Sequence, residues 1–75
     1  MVKENFAQGY YEGEKIQNIK NGYGIFHYYE GGKYCGNWLN NKMHGTGTLY
    51  YPSGKIAYEG QWDSDELHGI GILYN

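Results

Sequence analysis

The sequence predicts an all-β chain made of three consecutive β-hairpin copies. Composition points there first: 13 glycines and 10 tyrosines stand among 75 residues, against an average glycine usage of about 7%. Spacing is the second observation. Gly-x-Gly recurs at Gly22-Tyr23-Gly24, Gly45-Thr46-Gly47 and Gly69-Ile70-Gly71, at intervals of 23 and then 24 residues. Gly13, Gly36 and Gly60 repeat those intervals nine positions earlier, and Tyr11, Tyr34 and Tyr58 keep the same beat. Gly31 and Gly54 form a third series, seven positions after each pair. Thirdly, glycine at this density opposes helix by about 1 kcal/mol per interior position relative to alanine. Tyrosine favours strands and glycine favours turns.

The chain divides into a lead-in or cap over residues 1–10 and copies at 11–33, 34–57 and 58–75. The second copy is the clearest, with Tyr34-Cys35-Gly36-Asn37-Trp38, a polar gap, then His44-Gly45-Thr46-Gly47-Thr48-Leu49-Tyr50. The third repeats it from Tyr58 through Trp62, His68 and Tyr74. The first carries Lys15 in place of tryptophan and Asn21 in place of histidine, at the same spacing. Tyr34, Gly36 and Trp38 alternate and so share a strand face. Gly45, Gly47, Leu49 and Tyr51 share a face of the return strand. Asn40-Asn41-Lys42-Met43 reads as the polar turn between them. Tyr51-Pro52-Ser53-Gly54 is a second turn, with proline where φ is fixed and glycine where φ is positive. Tyr29-Glu30-Gly31-Gly32 is its counterpart. Lys55-Ile56-Ala57 is one residue longer than Gly32-Lys33, which explains 24 against 23. Glycine inside a strand admits close approach of another group. The preferred role is a floor under the rings of Tyr34, Trp38, Tyr58 and Trp62; the alternative is twist and bulges alone.

Composition and charge exclude several classes. There is no collagen triplet, and no apolar run approaches the ~20 residues of a membrane helix. Cys35 is the only cysteine, so no internal disulfide forms and a reducing compartment is expected. The start, Met1-Val2-Lys3-Glu4, lacks a signal-peptide apolar region. Net charge is −2, and all six basic residues are lysines. Without arginine, nucleic-acid binding is not expected, and attachment to anionic lipid is disfavoured.

A search for catalytic chemistry finds little. His44 and His68, two strands apart at ~4.8 Å each, lie too far apart for one metal. His27 is out of register with them. Asp63-Ser64-Asp65-Glu66 starts like a calcium loop, but His68 and Tyr74 stand where glycine and glutamate are required, so it reads as a solvated turn. The Gly-x-Gly pairs lack the remaining residues of a phosphate loop. Ser53 and Ser64 sit in turns. Cys35 lies in a strand with no arranged base, and its equivalents Glu12 and Glu59 mark an outward slot. No enzyme activity, metal or cofactor is expected.

The aromatics remain. Tyr34, Trp38, Tyr58 and Trp62, with Tyr50 and Tyr74, are the candidate partner contacts, because aromatics bury area at low entropic cost. Their alternative role is core. The last strand, His68 to Tyr74, is an apolar edge of the kind that recruits another strand. Residues 1–8 are too short for a copy, but Phe6 is placed to cover the first hairpin. The chain is then either part of a longer array or one whose ends pair between molecules.

Taken together, Tyr-x-Gly-x-Trp, a short gap, His-Gly-x-Gly-x-Leu-x-Tyr and a glycine before the next tyrosine resemble the MORN repeat (membrane occupation and recognition nexus). The resemblance covers residues 11–75 and departs from the pattern at Lys15 and Asn21. It implies an elongated, single-layer antiparallel array of β-hairpins with aromatics lining a groove. It also implies a non-catalytic scaffold or interaction module that binds a peptide or helix, and that can dimerise. Such a module would be cytoplasmic, often peripheral to membrane or cytoskeleton. Membrane lipid is the alternative partner, and an accessory region of a lipid kinase or methyltransferase the alternative context.

Overall fold

The computed structural model describes residues 2–74. They form seven strands in one antiparallel sheet whose spatial order is the chain order. The strands are β1 (Val2–Asn5), β2 (Gly9–Ile16), β3 (Ile19–Tyr28), β4 (Lys33–Leu39), β5 (Lys42–Tyr50), β6 (Ile56–Asp63) and β7 (Glu66–Leu73). Extents of 36 × 25 × 18 Å describe an elongated, single-layer array.

Each copy is a hairpin: β2–β3, β4–β5 and β6–β7. Its turn has two residues, Gln17-Asn18, Asn40-Asn41 or Ser64-Asp65, all with φ between 49 and 71°. Two consecutive positive φ values match the type I′ hairpin turn, whose twist suits the flanking strands. The turn of the second copy is therefore shorter than the sequence suggests. Lys42 and Met43 are paired strand residues opposite Leu39 and Trp38. The extra residue at the end of the second copy becomes a bulge: Leu49 faces Tyr58 and Tyr50 faces Ile56, so Ala57 is skipped.

The two glycine roles divide between series. Gly13, Gly24, Gly36, Gly47, Gly60 and Gly71 lie opposite one another strand by strand, making a glycine row across the sheet. Tyrosine rings lie on that row. A Cβ on Gly24, Gly47 or Gly71 would fall inside the ring of Tyr11, Tyr34 or Tyr58 respectively. The first glycine of each Gly-x-Gly does different work. Gly22, Gly45 and Gly69 have φ of 95, 77 and 62°. There three residues of the first strand, such as Gly36 to Trp38, span five of the second, Gly47 to Met43.

The first copy, lacking tryptophan, is completed from outside itself. β1 pairs with β2, and Lys15 bonds Glu4. Phe6 packs on Phe26 with ring centroids 5.9 Å apart. Lys20 is buried, its ammonium 4.3 Å from the Phe6 ring and 5.4 Å from Trp38. Burial lowers its pKa, the Lys15 charge lowers it further, and Asp65 partly opposes this.

Two glycine substitutions separate the two causes. Gly47→Ala puts a methyl into the Tyr34 ring and is expected to cost about 3 kcal/mol or more, as overpacking of a rigid site does. Gly54→Ala meets no atom within 4 Å but holds φ at 93°, so the expected cost is only about 1–2 kcal/mol. Urea unfolding midpoints of both variants check the ranking.

Candidate functional site

One face of the sheet carries an aromatic ladder. Trp38 stands edge-on between Tyr11 and Tyr34, at 5.4 and 5.3 Å. Trp62 stands likewise between Tyr34 and Tyr58, at 5.1 and 5.3 Å. Interplanar angles of 82–89° put ring edges against ring faces, the arrangement the ring quadrupoles favour. Polar atoms of the ladder are paired. Tyr11, Tyr34 and Tyr58 hydroxyls donate to the backbone oxygens of Glu14, Asn37 and Gln61 at 2.6, 2.9 and 2.9 Å. The indole N–H groups of Trp38 and Trp62 donate to Gly24 and Gly47 oxygens, each at 3.2 Å.

Four of the six candidate contacts are thus interior. Tyr34, Trp38, Tyr58 and Trp62 retain 0, 6, 4 and 5% of their exposure. Tyr50 lies on the opposite, open face, and Tyr74 hydrogen-bonds Glu59 at 2.6 Å on that side. That hydrogen bond raises the Tyr74 pKa. The open face holds a shallow depression of about 610 Å³ lined by Tyr23, Cys35, Asn37, Thr48, Tyr50 and Glu59 among others. Cys35 is partly buried there, which raises its thiol pKa despite Lys33 nearby. Lys33 lies 5.0 Å from the Tyr50 ring. Along the same face, Tyr10 stacks on His27 at 4.4 Å, and His27 contacts Glu12 at 3.1 Å.

Histidines do not converge on a metal-binding constellation. His44 sits 3.4 Å from Asp63, and among the described residues no three His, Cys, Asp or Glu side chains gather as a ligand set. No described helix is long and apolar enough to cross a membrane.

Two columns of polar residues escape a reading of the sequence. The residue before each tryptophan position reaches across the bulge to the middle of Gly-x-Gly. Glu14 accepts from Tyr23 N–H at 2.6 Å, Gln61 accepts from Ile70 N–H at 2.9 Å, and Asn37 bonds the Thr46 backbone oxygen at 3.2 Å. The second turn residue clamps the preceding hairpin. Asn41 N–H donates to Lys20 oxygen at 3.0 Å, while its side-chain oxygen accepts from Lys20 N–H at 2.9 Å. Asp65 does the same to Met43, at 3.0 and 2.8 Å. The signal was one of column chemistry: each position carries a polar side chain at a constant offset, accepting in every case but Asn37, whose amide nitrogen donates.

The fold and this ladder define a β-hairpin repeat protein in which each unit completes the core of its neighbour. A comparison with curated proteins gives no match. The family model of the MORN repeat matches residues 11–33, 34–56 and 58–74. The chain belongs to the MORN-repeat family.

Trp62→Ala removes a ring shared by two copies and is expected to cost about 3–5 kcal/mol in chemical unfolding. Alkali provides a second test. Burial raises the Tyr11 pKa to about 12 and raises that of Tyr34 as well. Unfolded tyrosine releases its proton near 10, so the folded chain binds more protons between 10 and 12. The contribution of these tyrosines to stability is then level below pH 10 and falls as pH rises toward 12. Phenolate absorbance is expected to show a fraction of tyrosines ionising only as far-ultraviolet circular dichroism is lost.

Proposed function

We propose that the chain is a non-catalytic interaction module that holds a protein segment, a peptide or a helix, against the open face of its sheet. The observation that carries this reading is the division of labour between faces. The ladder rings saturate one face with their own contacts, while Tyr50 and Tyr23 border an open depression on the other. The buried rings Tyr34, Trp38, Tyr58 and Trp62 contribute by fixing the backbone under that surface, and Tyr50 and Tyr74 meet the partner. β7, exposed along its whole length, supplies an edge for strand addition or self-association. A protein partner is favoured over lipid by the net charge of −2 and the lack of arginine. The raised Cys35 pKa speaks against a thiolate nucleophile. A cytoplasmic setting, at the periphery of membrane or cytoskeleton, goes with this reading.

A photoreactive phenylalanine analogue at Tyr23 tests the face. It is expected to cross-link a protein partner, and Tyr50→Ala is expected to lower the yield roughly tenfold, the scale of a lost hot-spot tyrosine. Equal yields from folded parent and variant would remove the open face as the binding surface. Cross-linking only to vesicles would favour lipid.

A further inference from the structure

The two junctions between copies are built alike, and together they state what an added unit needs. At β3–β4 and β5–β6 six residue pairs form, with glycine opposite glycine and the tyrosine of the incoming strand opposite Phe26 or Leu49. The incoming turn then clamps the N–H and oxygen of Lys20 or Met43 through Asn41 or Asp65. At the sheet edge, β7 offers the same set of features. Leu67 is the equivalent of Lys20 and Met43, Gly71 of Gly24 and Gly47, and Leu73 of Phe26 and Leu49. Leu67, Ile70, Ile72 and Leu73 are 47, 82, 55 and 71% exposed.

The other edge holds the complement. β2 is an incoming-type strand, Tyr11-Glu12-Gly13-Glu14-Lys15, followed by Asn18 with φ of 70°. Asn18 stands where Asn41 and Asp65 make their clamps. β1 covers β2 through only four pairs, with Val2 opposite Gly13 and Glu4 opposite Tyr11. In that register Val2, Lys3 and Glu4 occupy the positions that Gly71, Ile72 and Leu73 would take. β1 is a short polar stand-in for a strand like β7.

We infer that a second copy of this chain docks head to tail, β7 of one copy pairing with β2 of the next in place of β1. Gly71 then faces Gly13, Leu73 faces Tyr11, and Asn18 clamps Leu67. Six pairs replace four. Lys15 leaves Glu4 and brings its ammonium to the Gly71 oxygen, the place to which Trp38 and Trp62 bring indole N–H groups. Because the two surfaces differ, the contact is heterologous and does not close on itself. This inference rests on the reading of β7 as an interaction edge.

Hydrogen exchange on the intact chain over a concentration series tests it. β7 amides, Leu67 among them, are expected to gain protection as β1 amides lose it. Unchanged protection at both edges up to millimolar concentration overturns the inference. Deleting residues 2–5, which keeps Phe6, is expected to give a ladder of oligomers in analytical ultracentrifugation. Asn18→Gly, which preserves the turn, is expected to weaken their association about five- to tenfold, the scale of one or two lost hydrogen bonds. A folded deletion variant that stays monomeric overturns both the inference and the reading of β7 as an edge for self-association. A dimer that stops at two copies and ignores both changes overturns head-to-tail docking alone and leaves β7 an interaction edge. If the deletion variant does not fold, the exchange series on the intact chain decides.

Discussion

The fold depends on tyrosine rings lying flat on a row of glycines. A single sheet has no second layer to cover its apolar face, so it must bury that face with side chains that fold down onto it. A large ring can do so only where the strand beneath carries no Cβ, and Gly24, Gly47 and Gly71 provide that. Each ring removes roughly 150–250 Å² from water, about 4–6 kcal/mol at the usual coefficient, as an upper estimate. Such rings can be interior because the bulge turns a backbone oxygen toward each hydroxyl. Bulge, glycine and tyrosine are therefore one device, and none is of use without the other two.

Tryptophan makes that device cooperative. Trp38 touches the tyrosine of its own copy and that of the copy before it, and donates to Gly24 across the junction. The turn clamps from Asn41 and Asp65 tie the same neighbours at the other end of the strands. A unit thus borrows part of its core from the next, which is the energetic pattern of solenoids. The first unit lacks tryptophan and borrows instead from β1, Phe6 and Lys20. Burying a lysine is tolerable there because its stem lies along apolar surface and its ammonium faces aromatic rings.

The periodic part of this architecture was legible in the sequence. Glycine and tyrosine intervals located the copies, and alternation put Tyr34, Gly36 and Trp38 on one face. Asn40-Asn41 announced a turn, but its two-residue length depends on left-handed φ at both positions, which leaves Met43 free to pair with Trp38. Sequence reasoning offered the glycines a floor or a bulge role; both exist, in different series. Glu14, Asn37 and Gln61 stayed hidden because they differ in charge and length and reach the middle of Gly-x-Gly by different chemistry, Glu14 and Gln61 accepting and Asn37 donating. Lys20 stayed hidden because a lysine reads as solvated until the rings around it are in place.

The same economy decides where an outside molecule can be met. Rings that hold the sheet together have almost no free surface left, so the most conspicuous residues of the sequence, Trp38 and Trp62, are among the least available. What stays available is the open face around Tyr50 and the two edges. Those edges are chemically unequal. β1 presents lysine, glutamate and asparagine beside a single valine along a four-residue strand, while β7 presents isoleucine and leucine along eight. Charged, short edges resist strand addition and long apolar ones invite it. An array built by repeating one junction has one half of that junction exposed at its edge, and a strand such as β1, set in the same register but with Val2 as its one apolar side chain, can close it cheaply. The polarity of the array is thus a consequence of how each unit completes its neighbour.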